Sequence, residues 1–301
     1  MQVPPLLVDP AVKIHRIANV PAMSQPVTHY ENFPVASLLC PAHLRPAIAA
    51  IYHFARAADD LADEGSADAQ QRLNDLQAYR ADLLTTASAQ ARSGRWAQVF
   101  GPLQYVLQTH HLPVHLLTDL LDAFEQDVRY TAARRRYTHD DELLDYCTRS
   151  ANPIGRLLLH LYGVQDKVSL AQSDYICSAL QLINFWQDVR VDAARGRWYI
   201  TQESMTRFGL TEADFQPASQ SKNASLLIAE CANRARAMML KGSALPVNIP
   251  GRAGWELRLV VQGGLRILDK IEAMGCATWR VRPKLSAWDV PVLLWRALWM
   301  K

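Results

Sequence analysis

Apolar residues recur at three- and four-residue intervals through most of this 301-residue chain, and that period is the feature that most restricts its fold. Such spacing gathers apolar side chains on one face of an α-helix, whereas a half-buried strand needs strict alternation. Alternating β-branched runs are scarce and only 13 glycines occur, so the chain reads as all-α, a single-domain helical bundle. Helices are expected over 33–39, 43–63, 68–91, 96–109, 113–131, 140–149, 152–162, 169–192, 202–208, 223–240 and 252–274. Pro41, Pro102, Pro113, Pro153 and Pro246 fall at or near these boundaries, where a missing N–H costs least. "GSAD" (65–68) and "ALPVNIPG" (244–251) read as connections, too short to separate domains. No repeat of fixed period is present, which disfavours a solenoid.

Half of the residues are hydrophobic, enough for a sizeable core. A net charge of +3 is too small to indicate a nucleic-acid partner without a basic cluster. The one tight basic run, Arg134 to Arg136, suits a solvated helix end as well as a phosphate or lipid headgroup. Five scattered cysteines with no CxxC pair read as reduced thiols in a cytoplasmic protein. No stretch approaches the roughly 20 uncharged apolar residues of a membrane span, and the first residues lack a signal-peptide layout. Residues 1–26 hold five prolines and read as a flexible N-terminal arm.

Two helical segments put carboxylates where apolar side chains belong. Ile48, Ile51, Tyr52, Ala55, Asp59 and Asp63 fall on one continuing helical line, so both aspartates should point inward, while Asp60 lies on the flank. In "LQLINFWQDVRVD" (180–192), Gln181, Asn184, Asp188 and Asp192 form a polar stripe between apolar borders. Unpaired buried carboxylates are costly, and like charges at i, i+4 destabilise a helix, so a cation should compensate them. Facing carboxylate pairs suit Mg²⁺, a hard ion that completes its shell with water and substrate phosphate. A metal so held binds a diphosphate and stabilises it as a leaving group. The motifs lie about 125 residues apart, so facing helices must bring them together. Either DxxxD alone would read as a surface salt-bridge face; two of them, each continuing an inward face, favour metal.

The flanking residues leave two readings each. Arg56 either pairs with an aspartate or contacts a phosphate. Tyr52 and Tyr146 either pack in the core or offer ring faces to an allylic carbocation. Arg197 and Tyr199 follow the second pair in "RGRWYI". "HLPVH" (111–115) lacks the Glu of a zinc-protease motif and carries Pro113 between its histidines, so zinc is not expected there. With no G-x-G-x-x-G and no Walker A sequence, NAD(P)H and ATP sites have no local support.

"DDLAD" (59–63) preceded by Tyr52 and Arg56, and "NFWQDVRVD" (184–192) followed by Arg197 and Tyr199, resemble the two aspartate-rich motifs of the squalene/phytoene synthase family. The resemblance runs from about His29 to Leu285. It implies an isoprenoid synthase catalytic domain over 27–287, all-helical around a central cavity. It further implies about two or three Mg²⁺ ions with the substrate diphosphate at Asp59, Asp63, Asn184, Asp188 and Asp192. Catalytic roles would fall to Tyr52, Arg56, Tyr146, Asn152 and Tyr199, and substrate binding to His29, Phe33, Ser37, Gln181, Asn184 and Arg197.

Within the family, "HYENFPVAS" (29–37), "AIYHFARAADDLADE" (50–64), "YCTRSANPIGRLLL" (146–159) and "LQLINFWQDV" (180–189) are most similar to bacterial hydroxysqualene synthases of hopanoid biosynthesis. That resemblance implies Mg²⁺-dependent ionisation of presqualene diphosphate, rearrangement of the cyclopropylcarbinyl cation and capture by water. A sister presqualene diphosphate synthase would supply the substrate and a flavin reductase would take the product, with no NAD(P)H. Condensing relatives carry a His-Ser-Lys-Ser-Phe-like opening, whereas His29 here is followed by Tyr30, Glu31, Asn32 and Phe33. Ser37 and Asn152 replace more apolar residues, and a more polar cavity favours water capture. The alternatives are a condensing squalene or phytoene synthase and, from another class, a non-catalytic assembly factor. The latter is disfavoured by intact aspartate pairs. A long-chain substrate and product predict peripheral contact with the inner face of the membrane. The apolar tail 288–301, with Trp288, Trp295 and Trp299, either packs on the body or anchors it to lipid.

Overall fold

A computed structural model describes residues 40–90 and 94–300. Every regular element among them is helical: α1 (Arg45–Asp63), α2 (Ala69–Ala87), α3 (Ala97–His110), α4 (Val114–Ala132), α5 (Asp140–Ser150), α6 (Asn152–Leu161), α7 (Lys167–Ala194), α8 (Gln202–Arg207), α9 (Lys222–Gly242), α10 (Leu245–Asn248), α11 (Gly251–Ala273) and α12 (Val290–Leu298). The all-α expectation holds, and the ten predicted helices from 43–63 onward match α1 to α9 and α11 closely. The expected arm 1–26 and helix 33–39, with His29, Phe33 and Ser37, lie outside the described residues. No helix among the described residues is long and apolar enough to cross a membrane.

Local chemistry explains most boundaries. Asp68, Asp166, Thr201 and Ser221 are N-caps whose side chains accept from the backbone N–H of Gln71, Ser169, Ser204 and Ala224, replacing bonds that a helix start cannot make internally. Pro102 departs from its predicted place at a boundary and sits inside α3. The carbonyl it cannot serve belongs to Gln98, in the exposed first turn, where water substitutes. The connection 244–251 contains the single helical turn α10.

The buried side chains divide into two cores. Phe54, Tyr79, Leu83, Phe100, Leu103 and Leu117 join α1, α2, α3 and α4, with Tyr79 Oη donating to the Phe54 carbonyl at 3.1 Å. Tyr146, Phe185, Trp186, Ile228, Met239 and Leu268 join α5, α7, α9 and α11. Helix α6 faces both: Leu157 and Leu161 enter the first core, Leu159 the second. Each such large apolar side chain contributes about 1.5–3 kcal/mol when fully buried.

Helix α7 is the hub, packed by α5, α6, α9, α10 and α11. Close approach explains why α9 ends in glycine: a Cβ on Gly242 would lie 2.5 Å from the Gln172 carbonyl oxygen and 2.6 Å from Ile176. Likewise a Cβ on Gly155 would lie 2.4 Å from Ser173 Oγ, so α6 sits directly against α7. The two cores thereby meet with the acidic end of α1 beside that of α7.

Candidate active site

The helical line read from the sequence delivers Asp59 and Asp63 to the end of α1, and the stripe on α7 delivers Asp188 and Asp192. Arginines bind three of these carboxylates. Arg197, on the turn after α7, makes a two-pronged pair with Asp63, one N–H donating at 2.8 Å. Arg195 stands 3.7 Å from the same carboxylate. Arg56 reaches Asp59 at 3.2 Å and Asp60 at 2.6 Å, and Asp60 is the more exposed of the two. Arg282 grips Asp188 with two N–H groups, one of them at 2.9 Å. Asp192 has no such ion pair among the described residues.

Beneath the acidic cluster lies a layer of tyrosines. Tyr199 stacks on Phe185 with centroids 3.6 Å apart and also meets Tyr137 and Tyr146. Tyr146 donates to Asp127 of α4 at 2.5 Å. Tyr146 and Tyr199 therefore support the carboxylates from below, whereas Tyr52 lies on the cavity wall described next.

That cavity, about 470 Å³, runs from Tyr52, Arg56 and Asp59 between α1, α4, α6, α7 and α11. Its walls are largely aliphatic, including Ile48, Ile51, Leu158, Ile176, Leu180, Leu257 and Val260. Arg56 and Asp59 thus stand at one end of an apolar volume, with Glu256 a further charged residue on its wall. Asn152, predicted to supply polarity there, is instead buried at the contact between α6 and α7, where Ser178 donates to its side-chain oxygen at 2.9 Å. Its position at the very start of α6 turns it toward α7 and off the cavity wall. Asn184, predicted to face inward, is exposed, and Gln181 is half-buried. The polar stripe of α7 rotates partly out of the core because the apolar residues on both borders, Leu182, Ile183, Phe185 and Trp186, take the buried positions.

Several residues of the site were not foreseen, among them Asp127, Arg195 and Arg282. Asp127 carried a signal: Leu120, Ala123 and Asp127 fall at i, i+3 and i+7 on α4, the same continuation of an apolar face that marks Asp59. Arg282 carried none, since it lies in an irregular segment 94 residues from its partner.

The electrostatics show uncompensated negative charge. Burial, then the neighbouring Asp63, raises Asp59 to about 6, against a partial offset from Arg56. Burial and Asp188 raise Asp192 to about 7, offset in part by Arg197 and Arg195. Burial raises Asp127 to about 7, although the Tyr146 hydrogen bond and Arg197 act the other way. Burial alone would depress Arg197, but Asp63 holds it above the usual arginine range.

These residues suit a divalent cation with a diphosphate. Among the described residues no three His, Cys, Asp or Glu side chains form a ready-made metal cage. Mg²⁺ does not require one, because it takes one or two carboxylates and completes its shell with water and phosphate oxygens. Asp59 and Asp192 have the strained charge that a cation relieves. Buried Nε–H groups on Arg56 and Arg197, the arginines that pair with Asp59 and Asp63, also lack hydrogen-bond partners, and an anion's oxygens would satisfy them.

Asp59, Asp127 and Asp192 bind protons more tightly folded than unfolded, where a carboxylate titrates near about 4. Stability of the metal-free protein should therefore fall as pH rises from about 4 to about 7. Mg²⁺ plus inorganic diphosphate should raise the melting temperature more at pH 8 than at pH 5. Thermal melts with EDTA or with both ligands check this, and an equal ligand effect at the two pH values would refute it.

A squalene/phytoene synthase profile matches residues 27–289. The chain belongs to the squalene/phytoene synthase family. It is 39% identical over 188 residues to a hydroxysqualene synthase of Zymomonas mobilis, covering 61% of this chain and 59% of that one. It is 31% identical over 245 residues to a hydroxysqualene synthase of Sinorhizobium fredii, covering 81% of this chain and 79% of that one. The crystal structure of squalene synthase HpnC from Alicyclobacillus acidocaldarius superposes with a TM-score of 0.74 at 35% identity, covering 82% of this chain and 90% of that one. Isoprenoid synthase architecture and action on prenyl diphosphates are thus properties of the family to which this chain belongs.

Proposed function

We propose that this protein is a hydroxysqualene synthase that converts presqualene diphosphate and water into hydroxysqualene and diphosphate. The observation that carries the reading is the pairing of two acidic motifs beside an apolar cavity that Arg56 and Asp59 line, with orphaned guanidinium N–H groups on Arg56 and Arg197. Asp59, Asp63, Asp188 and Asp192, with Asn184 at the exposed edge, are the residues that would hold Mg²⁺. Bound there, Mg²⁺ supplies Lewis-acid neutralisation of the leaving diphosphate.

The chain's own side chains supply the rest. Arg56 and Arg197 are placed to donate to diphosphate oxygens as the carbon–oxygen bond breaks and its electron pair leaves with the diphosphate. Tyr52 offers its ring to the cation left in the cavity, and the aliphatic walls exclude bulk water. A water oxygen then forms the new carbon–oxygen bond and releases a proton, so no electron donor is consumed. Ser173 and Glu256 are polar groups on the cavity wall and support a role in seating that water, in place of Asn152. Asp127 and Tyr146 position the carboxylates from below. In this reading an enzyme that makes presqualene diphosphate works upstream, a flavin reductase downstream, and the protein sits peripherally at the inner membrane face.

Product analysis after incubation with presqualene diphosphate tests the proposal. Hydroxysqualene should form with Mg²⁺ and not with EDTA. A C30 product from farnesyl diphosphate alone would instead make the protein a condensing synthase, and inertness toward both substrates would overturn catalysis.

A further inference from the structure

We infer that Glu256, at the far end of the cavity from the aspartates, limits how long a prenyl arm the cavity accepts. This rests on the proposed reading only in taking the ligand to be a prenyl diphosphate.

Two walls give the cavity its direction and length. Ile48 and Asp59 both line it from α1 and stand eleven positions apart, which is about 16 Å along a helix axis. On α7 the wall residues Ser173, Ile176, Cys177 and Leu180 all precede Asp188, Ser173 by fifteen positions, or about 22 Å. The volume therefore runs away from the acidic cluster along both helices, toward the start of α1.

Glu256 stands at that start. Cys40 lies just before α1, and burial, then Glu256, raises its thiol to about 11, against an offset from Arg45, the first residue of α1. Burial and then Glu256 also raise Tyr162, which caps the far end of α6 and lines the cavity with Glu256. Between this end and Asp59 the wall is mainly aliphatic. The cavity thus has a charged group at each end.

The separation matches one farnesyl arm. With carbon–carbon bonds near 1.5 Å, such an arm extends about 14 Å, and one more isoprene unit adds about 5 Å. A longer arm would press its apolar end against Glu256 and displace water from the carboxylate. Stripping water from a carboxylate without a compensating hydrogen bond is strongly disfavoured. The group that seats water therefore also marks where the arm must end.

Binding of unreactive thiodiphosphate analogues with Mg²⁺, read by isothermal titration calorimetry, tests this without turnover. Wild type should bind farnesyl thiodiphosphate at least about tenfold more tightly than geranylgeranyl thiodiphosphate. Glu256→Leu should tighten the geranylgeranyl analogue at least about fivefold and change the farnesyl analogue less than about twofold, because the charge opposing length is gone. Val260 is one turn along α11 on the same wall. Val260→Phe should fill the far part of the cavity, weakening farnesyl thiodiphosphate at least about tenfold and geranyl thiodiphosphate less than about threefold. This second variant keeps the test decisive even if Glu256→Leu does not fold. Wild-type indifference to arm length, a Glu256→Leu protein with the wild-type ratio, or equal weakening of both analogues by Val260→Phe would each overturn the inference. Failure of wild type to bind any of the analogues would instead overturn the prenyl diphosphate reading, and the inference with it.

Discussion

Asp192→Asn is expected to lower presqualene diphosphate turnover about 10³-fold, a loss typical of removing one strong electrostatic contributor to a transition state. The same substitution should leave the metal-free protein at least as stable at pH 8. Burial and Asp188 push Asp192 up to about 7, so its charged form is held in the folded state against its preference. An amide of nearly the same shape removes that strain along with the metal ligand. Opposite effects on activity and stability separate a functional carboxylate from a structural one, which loses both together. Asp60→Asn is the control: Asp60 meets Arg56 at 2.6 Å on the helix flank, and turnover should change less than about tenfold. Steady-state turnover with thermal melts in EDTA reads both quantities. A destabilised Asp192→Asn protein would contradict this account.

Arg197→Leu should destabilise the protein by about 3–5 kcal/mol, the usual cost of stranding one partner of a buried ion pair. Asp63 is only 11% exposed and Arg197 17%, so little solvent reaches the stranded carboxylate. Asp59 and Asp127 also lie within its electrostatic reach. At about 2–4 °C per kcal/mol, a fall of roughly 10 °C in melting temperature follows. Turnover should drop at least about 100-fold, because the same guanidinium is a proposed diphosphate donor. The double variant Arg197→Leu/Asp63→Leu should regain most of the stability, since an apolar pair of similar volume replaces a buried ion pair at little cost. It should regain none of the activity. If the double variant melted no higher than the single one, the pair would not be the origin of the loss.

Both predictions concern residues whose identities were legible before any coordinates. Asp59 and Asp63 stood out because they occupy positions that the period of α1 assigns to the core. Asp188 and Asp192 stood out because they interrupt an apolar helix. Arg197 and Tyr199 were named from their motif, but their partners were not. Asn152 and Asn184 stand off the inward positions expected of them for a common reason. A polar residue beside an apolar stripe can turn either way, and the packing of α6 and α7 decides which. His29, Phe33 and Ser37 lie outside the described residues, so their predicted roles rest on the family resemblance alone.

The amino-acid order alone established the helical class, ten helices, and two inward carboxylate pairs, because helical period and burial are local properties written every three or four residues. The tertiary structure decided that Arg197 crosses to Asp63, that Arg282 reaches Asp188, that Asp127 and the tyrosine layer lie under the site, and that α12 keeps its tryptophans outside. Those contacts join segments 94 to 134 residues apart in the two arginine pairs. They depend on how α7 seats its neighbours, and no spacing within a single helix records that.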